Sequence, residues 1–174
     1  MKKLLANNKG NTLIELIMVM MLLALFGITM YTLIFAGSQT QQKINENKNA
    51  QIDARIALNY LNVKLRQNDA AGCIEVVDNP LTGEPAIRLR SNEVPGEEYD
   101  TWIYFYDGEI LEYIGFPEDT EPVYDFSVLV VKAEDFVTQY DAEGGTIVNT
   151  VFYTYNGAQK QMSTTVHLKS GGIK

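Results

Sequence analysis

Lys9-Gly-Asn-Thr-Leu-Ile-Glu-Leu16 opens an apolar run that reaches Phe35, and its reading decides how the other residues are placed. Between Leu16 and Gln42 there is no charged residue. About 20 residues at about 1.5 Å rise cross the hydrocarbon of a bilayer, so the run predicts a membrane-spanning helix. Glu15 stands just inside its N-terminal border, where an unpaired carboxylate is disfavoured and a functional partner is expected. Ahead of it, Met1 to Gly10 carries Lys2, Lys3 and Lys9 and no acid. Positive charge on that side predicts a cytoplasmic N-terminus and a C-terminal domain outside the cell.

The basic leader, Gly10, the polar pair Asn11-Thr12, then Leu13-Ile14 and Glu15 five residues after the glycine form an ordered set. It resembles the processing site of type IV pilin-like proteins: type IV pilins, competence pseudopilins and type II secretion pseudopilins. The resemblance implies that a prepilin peptidase, a membrane aspartyl enzyme, cuts after Gly10. It implies that the new N-terminus, Asn11, is then methylated and that the helix is later extracted into a filament, with Leu13 and Glu15 as assembly residues. In such families Glu15 is thought to pair with the free amine of a neighbouring subunit. Two opposite charges in a low-dielectric helix bundle attract strongly, and each relieves the other's desolvation. The implied partners are the prepilin peptidase, other pilin or pseudopilin subunits, an inner-membrane assembly platform and membrane lipid. The implied locations are first the plasma membrane, then a cell-surface or envelope filament. Two departures are visible: Asn11 stands where the family often has Phe or Met, and no Pro occurs between residues 11 and 79. Many major pilins kink this helix with a Pro. Here Gly27 and Gly37 are the remaining weak points, suited to local melting or close helix packing. An ordinary secretory signal would instead be cut near Phe35-Ala-Gly-Ser38, after an apolar core shorter than this one. An uncleaved anchor accounts for the hydrophobicity but not for Glu15.

Composition bounds the remainder. At 46% hydrophobic and 21% charged the chain is near the globular average. The part beyond the membrane run, roughly 135 residues, suffices for one domain with a modest core. Net charge is −8; cutting after Gly10 removes Lys2, Lys3 and Lys9 and leaves 11 Lys+Arg against 22 Asp+Glu, a net −11. So acidic a domain is not expected to bind nucleic-acid phosphates directly. A single cysteine, Cys73, excludes an internal disulfide, and a small buried hydrophobe is its expected role.

Ser38 to Gln67 begins polar and becomes amphipathic. Ala54, Leu58, Leu61 and Leu65 recur at helical spacing, with Ile52, Ile56, Tyr60 and Val63 expected to widen the apolar face. No Gly or Pro interrupts this segment, so the membrane helix is expected to continue to about Asn68. Ala54-Arg-Ile-Ala-Leu-Asn-Tyr-Leu61 with Lys64-Leu-Arg-Gln67 resembles the corresponding helix of minor pilins and pseudopilins of the larger, J-like or W-like type. From Ala70 the period falls to two. Strands are expected at Cys73–Val77, Ala86–Arg90, Thr101–Tyr106, Glu109–Ile114, Phe126–Ala133, Thr146–Tyr155 and Gln161–Leu168. Asp107-Gly108 marks a tight hairpin, and Asn156-Gly157-Ala158 a second of slightly greater length. The expected organisation is a leader at 1–10, a transmembrane and assembly helix at 11–37, its amphipathic continuation at 38–69 and a β-sheet domain at 70–174. The fold class is α+β and pilin-like, a long N-terminal helix packed on an antiparallel sheet. Gly171-Gly172 and Lys174 read as a frayed tail.

Catalysis finds little support. His167 is the single histidine and lies in an alternating strand, and no GxSxG, HExxH, P-loop or CxxC occurs. The acidic loops Glu97-Glu98, Glu118-Asp-Thr-Glu121 and Asp141-Ala-Glu143 lack calcium-loop spacing and read as solvated turns. Tyr99, Tyr104, Tyr106 and Tyr113 are expected to divide between core and half-exposed sheet surface. No cofactor and no metal are expected. Three classes of function remain: a filament subunit, which is favoured; a membrane-anchored extracellular binding domain; and a hydrolase with an unrecognised site.

Overall fold

The computed structural model describes residues 11–91 and 98–169, with side chains from Leu13 onward. The leader with Gly10, the Asn11 side chain, Glu97 and the tail residues Gly171, Gly172 and Lys174 lie outside the described residues. The chain divides into two compact units, Met1–Asn45 and Glu46–Lys174, and helix α1 (Asn11–Gln67) contributes to both.

In the first unit every described side chain is exposed, including the large apolar ones from Leu13 to Phe35. The segment is long and apolar enough to cross a membrane, and its character suggests a membrane anchor. Three of its threonine hydroxyls bond within the helix. Thr29 Oγ1 donates to the Phe26 carbonyl at 2.8 Å, Thr32 to Thr29 at 2.8 Å, and Thr40 to Ala36 at 2.9 Å. That pattern suits a medium without water, where a free hydroxyl has no other partner. Gly27 and Gly37 have open space around them and pack against nothing in the chain.

The second unit holds the core. Among the described residues eight antiparallel strands follow α1: β1 (Ile74–Asp78), β2 (Pro85–Ser91), β3 (Tyr99–Tyr106), β4 (Glu109–Gly115), β5 (Val128–Lys132), β6 (Asp135–Asp141), β7 (Thr146–Tyr155) and β8 (Ala158–His167). They form two sheets rather than one, β1-β2-β3-β4-β5 and β6-β7-β8. Ala54, Ala57, Leu58, Leu61 and Leu65 of α1 are buried with Ile87, Leu89, Ile103 and Ile110 of the first sheet. Phe136, Ile147, Val151 and Val166 of the second join the same cluster. The helical spacing of the core positions therefore reads correctly, but the face is narrower than expected: Ile52, Ile56 and Val63 are exposed. Alanine at 54 and 57 lets the strands approach the helix closely enough to complete the core without them.

Strand β6 was not expected. Asp135-Phe-Val-Thr-Gln-Tyr-Asp141 begins and ends on aspartate, and only Phe136 and Thr138 are fully buried, so the segment carries little strand signal. Strand β5 is shorter than the expected Phe126–Ala133, because Tyr124–Phe126 forms a short 3-10 turn. The second hairpin is tighter than expected. Tyr155 pairs directly with Ala158, and Asn156 (φ 54°) and Gly157 (φ 74°) make a two-residue turn with both residues left-handed. Asp107 (φ 47°) and Gly108 (φ 80°) turn in the same manner between β3 and β4. Such turns match the right-handed twist of the flanking strands, which is why Asn-Gly and Asp-Gly favour them.

Candidate functional site

Two regions bear on function, the start of α1 and the faces of the sheet unit. Asn11 opens the described part of α1, and Leu13 and Glu15 are exposed on its first turns. Asn11 and Glu15 are four residues apart, which puts them on one helix face about one turn apart. Among the described residues no cation pairs with Glu15.

In the sheet unit several charged side chains hold elements together. Lys64 on α1 places Nζ 2.6 Å from Glu112 Oε1 on β4, and also lies 5.4 Å from the Tyr60 ring. Burial pushes the Tyr60 phenol up from its ordinary value, and the Glu112 carboxylate beside it adds to the rise. On the opposite face of the first sheet, Arg88 Nε donates to Asp100 Oδ2 at 2.6 Å. The Arg88 guanidinium lies 4.9 Å from the Trp102 ring and donates to the Pro117 carbonyl at 3.0 Å. Arg90 meets Glu75 at 3.2 Å. Asp119 accepts from the Tyr113 hydroxyl at 2.9 Å and the Phe116 N–H at 2.8 Å, and Tyr104 shares a 2.7 Å hydrogen bond with Ser127.

These contacts draw residues 115–127 over Ala86, Trp102, Tyr104, Leu111 and Tyr113, which form a second buried cluster. A covered outer face was not among the sequence expectations, although the large apolar residues of Thr101-Trp-Ile-Tyr-Phe-Tyr106 fall on both faces of the strand. Tyr104 and Tyr113 are thus core residues, while Tyr99 and Tyr106 are exposed.

Among the described residues no arrangement of nucleophile and base emerges. His167 is exposed at the end of β8, in an open cavity of about 520 Å³ that it lines with Arg66, Asp69, Thr165 and Lys169. Asp69 accepts the Lys169 backbone N–H there at 2.8 Å. Cys73 is free and half-buried. Among the described residues no group of three His, Cys, Asp or Glu is placed to hold a metal. In the acidic loops Asp141 is used locally, accepting the Glu143 N–H at 3.1 Å, as a turn requires.

A family model described as a domain of unknown function, DUF4860, matches residues 52–151, more than half of the chain. The chain belongs to the DUF4860 family. No curated protein and no solved structure matches it. The DUF4860 match begins on the exposed turn of α1 at Ile52 and ends at Val151 in β7. It therefore covers most of the core of the sheet unit but not Tyr153, Val166 and Leu168, and it leaves out the segment from Gly10 to Glu15 that carries the pilin resemblance.

Proposed function

We propose that the chain is a non-enzymatic structural subunit, a minor pilin or pseudopilin. Its filament would be a type IV pilus, a competence pilus or a type II secretion filament. On this reading a prepilin peptidase cuts after Gly10, the assembly platform receives the membrane-held product, and the N-terminal helix enters the filament. The observation that carries the reading is the two-part character of α1. Its first part is exposed, apolar and marked by one carboxylate, and its second part buries a face against antiparallel sheets. A simple anchor needs the first property but gives no role to Glu15.

Mass spectrometry of the membrane fraction tests the proposal. The mature chain is expected to begin at Asn11. Gly10→Ala should retain some cleavage, while a bulky residue at Gly10 should leave a longer, membrane-held precursor, because a peptidase site that closes on the backbone admits little side chain. A mature protein that still begins at Met1, or that begins near Ser38, would end this reading and favour an anchored binding domain or a secreted one.

A further inference from the structure

At one end of the five-stranded sheet the helix-facing side turns from apolar to polar. Leu89 and Ile103 are buried there against α1. Two residues along the same strands, and so on the same side, stand Ser91 and Thr101. Ser91 pairs with Tyr99, and Thr101 lies between Leu89 and Ile114. Ser91 is 8% exposed and Thr101 5%, yet neither hydroxyl makes a hydrogen bond among the described residues. Both residues line a cavity of about 390 Å³ between the end of α1 and strands β2, β3 and β4. A buried hydroxyl is ordinarily bonded, so two without partners on one cavity point to something that enters it.

The remaining wall restricts what that is. Gln67 and Asn68 line it from the end of α1, and their amides both donate and accept. Asn68 spends one N–H on the Lys64 carbonyl, at 2.9 Å, which leaves its side-chain oxygen for another donor. Lys64 is the one charged group on the wall among the described residues, and Glu112 neutralises it at 2.6 Å. The exposed Tyr99 ring and Ile114 supply the apolar part. An anion would call for an unpaired cation, and a lipid tail for a mainly apolar wall. Hydroxyls and amides without net charge suit a ligand whose own groups also donate and accept. The negative face of an aromatic ring suits the C–H face of a pyranose. The volume falls within the range of about 300–1,000 Å³ typical of small-molecule sites.

We propose that this cavity binds a neutral saccharide unit, either a free sugar or the end of a longer glycan. The Ser91 and Thr101 hydroxyls and the Gln67 and Asn68 amides hold its hydroxyls, and Tyr99 lies against its ring. The site belongs to the sheet unit and does not depend on the filament reading.

The test uses the full chain in phospholipid nanodiscs, without glycosidic detergent. Glucose, galactose, mannose and N-acetylglucosamine are the probes, with contact read by saturation-transfer NMR and Kd by titration. At least one should bind. Ser91→Ala with Thr101→Val should weaken it about tenfold or more, since two hydrogen bonds to the ligand are lost. The urea midpoint should stay level or rise, because neither hydroxyl has a partner in the protein to lose. Tyr99→Leu should weaken binding as well, whereas His167→Ala, in a different cavity, should not. The uronic acid and the 6-phosphate of the sugar that binds should bind less well than the neutral form. Its methyl glycoside distinguishes the two sources: equal binding assigns a chain end, and loss of binding assigns the free sugar. No binding of any of the four at millimolar concentration would overturn the proposal and leave a cavity filled by water. Binding that persists in the double variant, or a preference for the charged forms, would overturn it too.

Discussion

Glu15 concentrates the functional question in one carboxylate. As a tolerated border residue it should be improved by Glu15→Leu, which favours insertion. As the partner of an amine on an adjacent subunit, it should show the opposite in assembly. Losing one member of a desolvated pair leaves the other charge uncompensated, at about 3–5 kcal/mol. We expect Glu15→Leu to leave cleavage and membrane level nearly intact and to reduce incorporation into sheared filaments, with Glu15→Gln in between. Equal incorporation of all three at equal expression would remove the pairing role. Tyr60 carries a different prediction. Its hydroxyl is buried without a hydrogen bond, and its ionisation is raised from an ordinary value of 10.0. Below that value the folded and unfolded phenols are both protonated and pH has no effect through this group. Above it the unfolded phenol ionises first, so stability falls as pH rises beyond 10. Tyr60→Phe should therefore retain more stability than wild type at pH 11 relative to pH 8, read from urea midpoints. An equal loss in both proteins would count against it. The identity and border position of Glu15 were legible in the sequence, because charge against an apolar run is visible in one dimension. The burial of Tyr60 beside Glu112 was not, because it depends on which strand crosses the helix.

Among the elements, α1 and the two hairpins show which signals survive without tertiary information. Helical spacing at Ala54, Leu58, Leu61 and Leu65, and the Asp-Gly and Asn-Gly turns, act over a few residues and were readable. Strand β6 and the split into two sheets were not, since they follow from pairing partners distant along the chain and from an element whose inward side includes a threonine. The β7–β8 turn is tied to the helix as well. Asn47 Nδ2 donates to Asn156 Oδ1 at 2.8 Å, and the Asn156 N–H donates to Asn47 Oδ1 at 2.9 Å. Asn47→Ala removes both bonds at a solvent-exposed place and should cost about 1 kcal/mol. Asn156→Ala removes one of them and also places a poorly suited residue at positive φ, for about 2 kcal/mol. Denaturant unfolding should rank them in that order. The reverse order would mean that the turn, and not the clasp, is the tolerant part.

For the molecule as a whole, the buried cluster of the second unit draws all its residues from Ala50 onward. A chain of residues 38–174 thus keeps every core side chain and should fold as a soluble domain. Its net negative charge resists association. We expect a monomer at low micromolar concentration by sedimentation. Obligate oligomers there would show that the sheet unit assembles without the apolar segment. The acidity that sets this behaviour was legible in the composition. The burial of Ala86, Trp102, Tyr104, Leu111 and Tyr113 beneath residues 115–127 was not, because it depends on which loop crosses the sheet.

Strand order equals chain order in both sheets: each strand pairs with the one before it, apart from the step between β5 and β6. Such local pairing makes for fast folding, because little chain must be closed into loops before a contact forms. A polypeptide emerging N-terminus first can therefore add one strand at a time onto a helix already present, with no early strand waiting for a late one. The last of the described residues then closes the structure, when the Lys169 N–H reaches Asp69 just past the end of that helix.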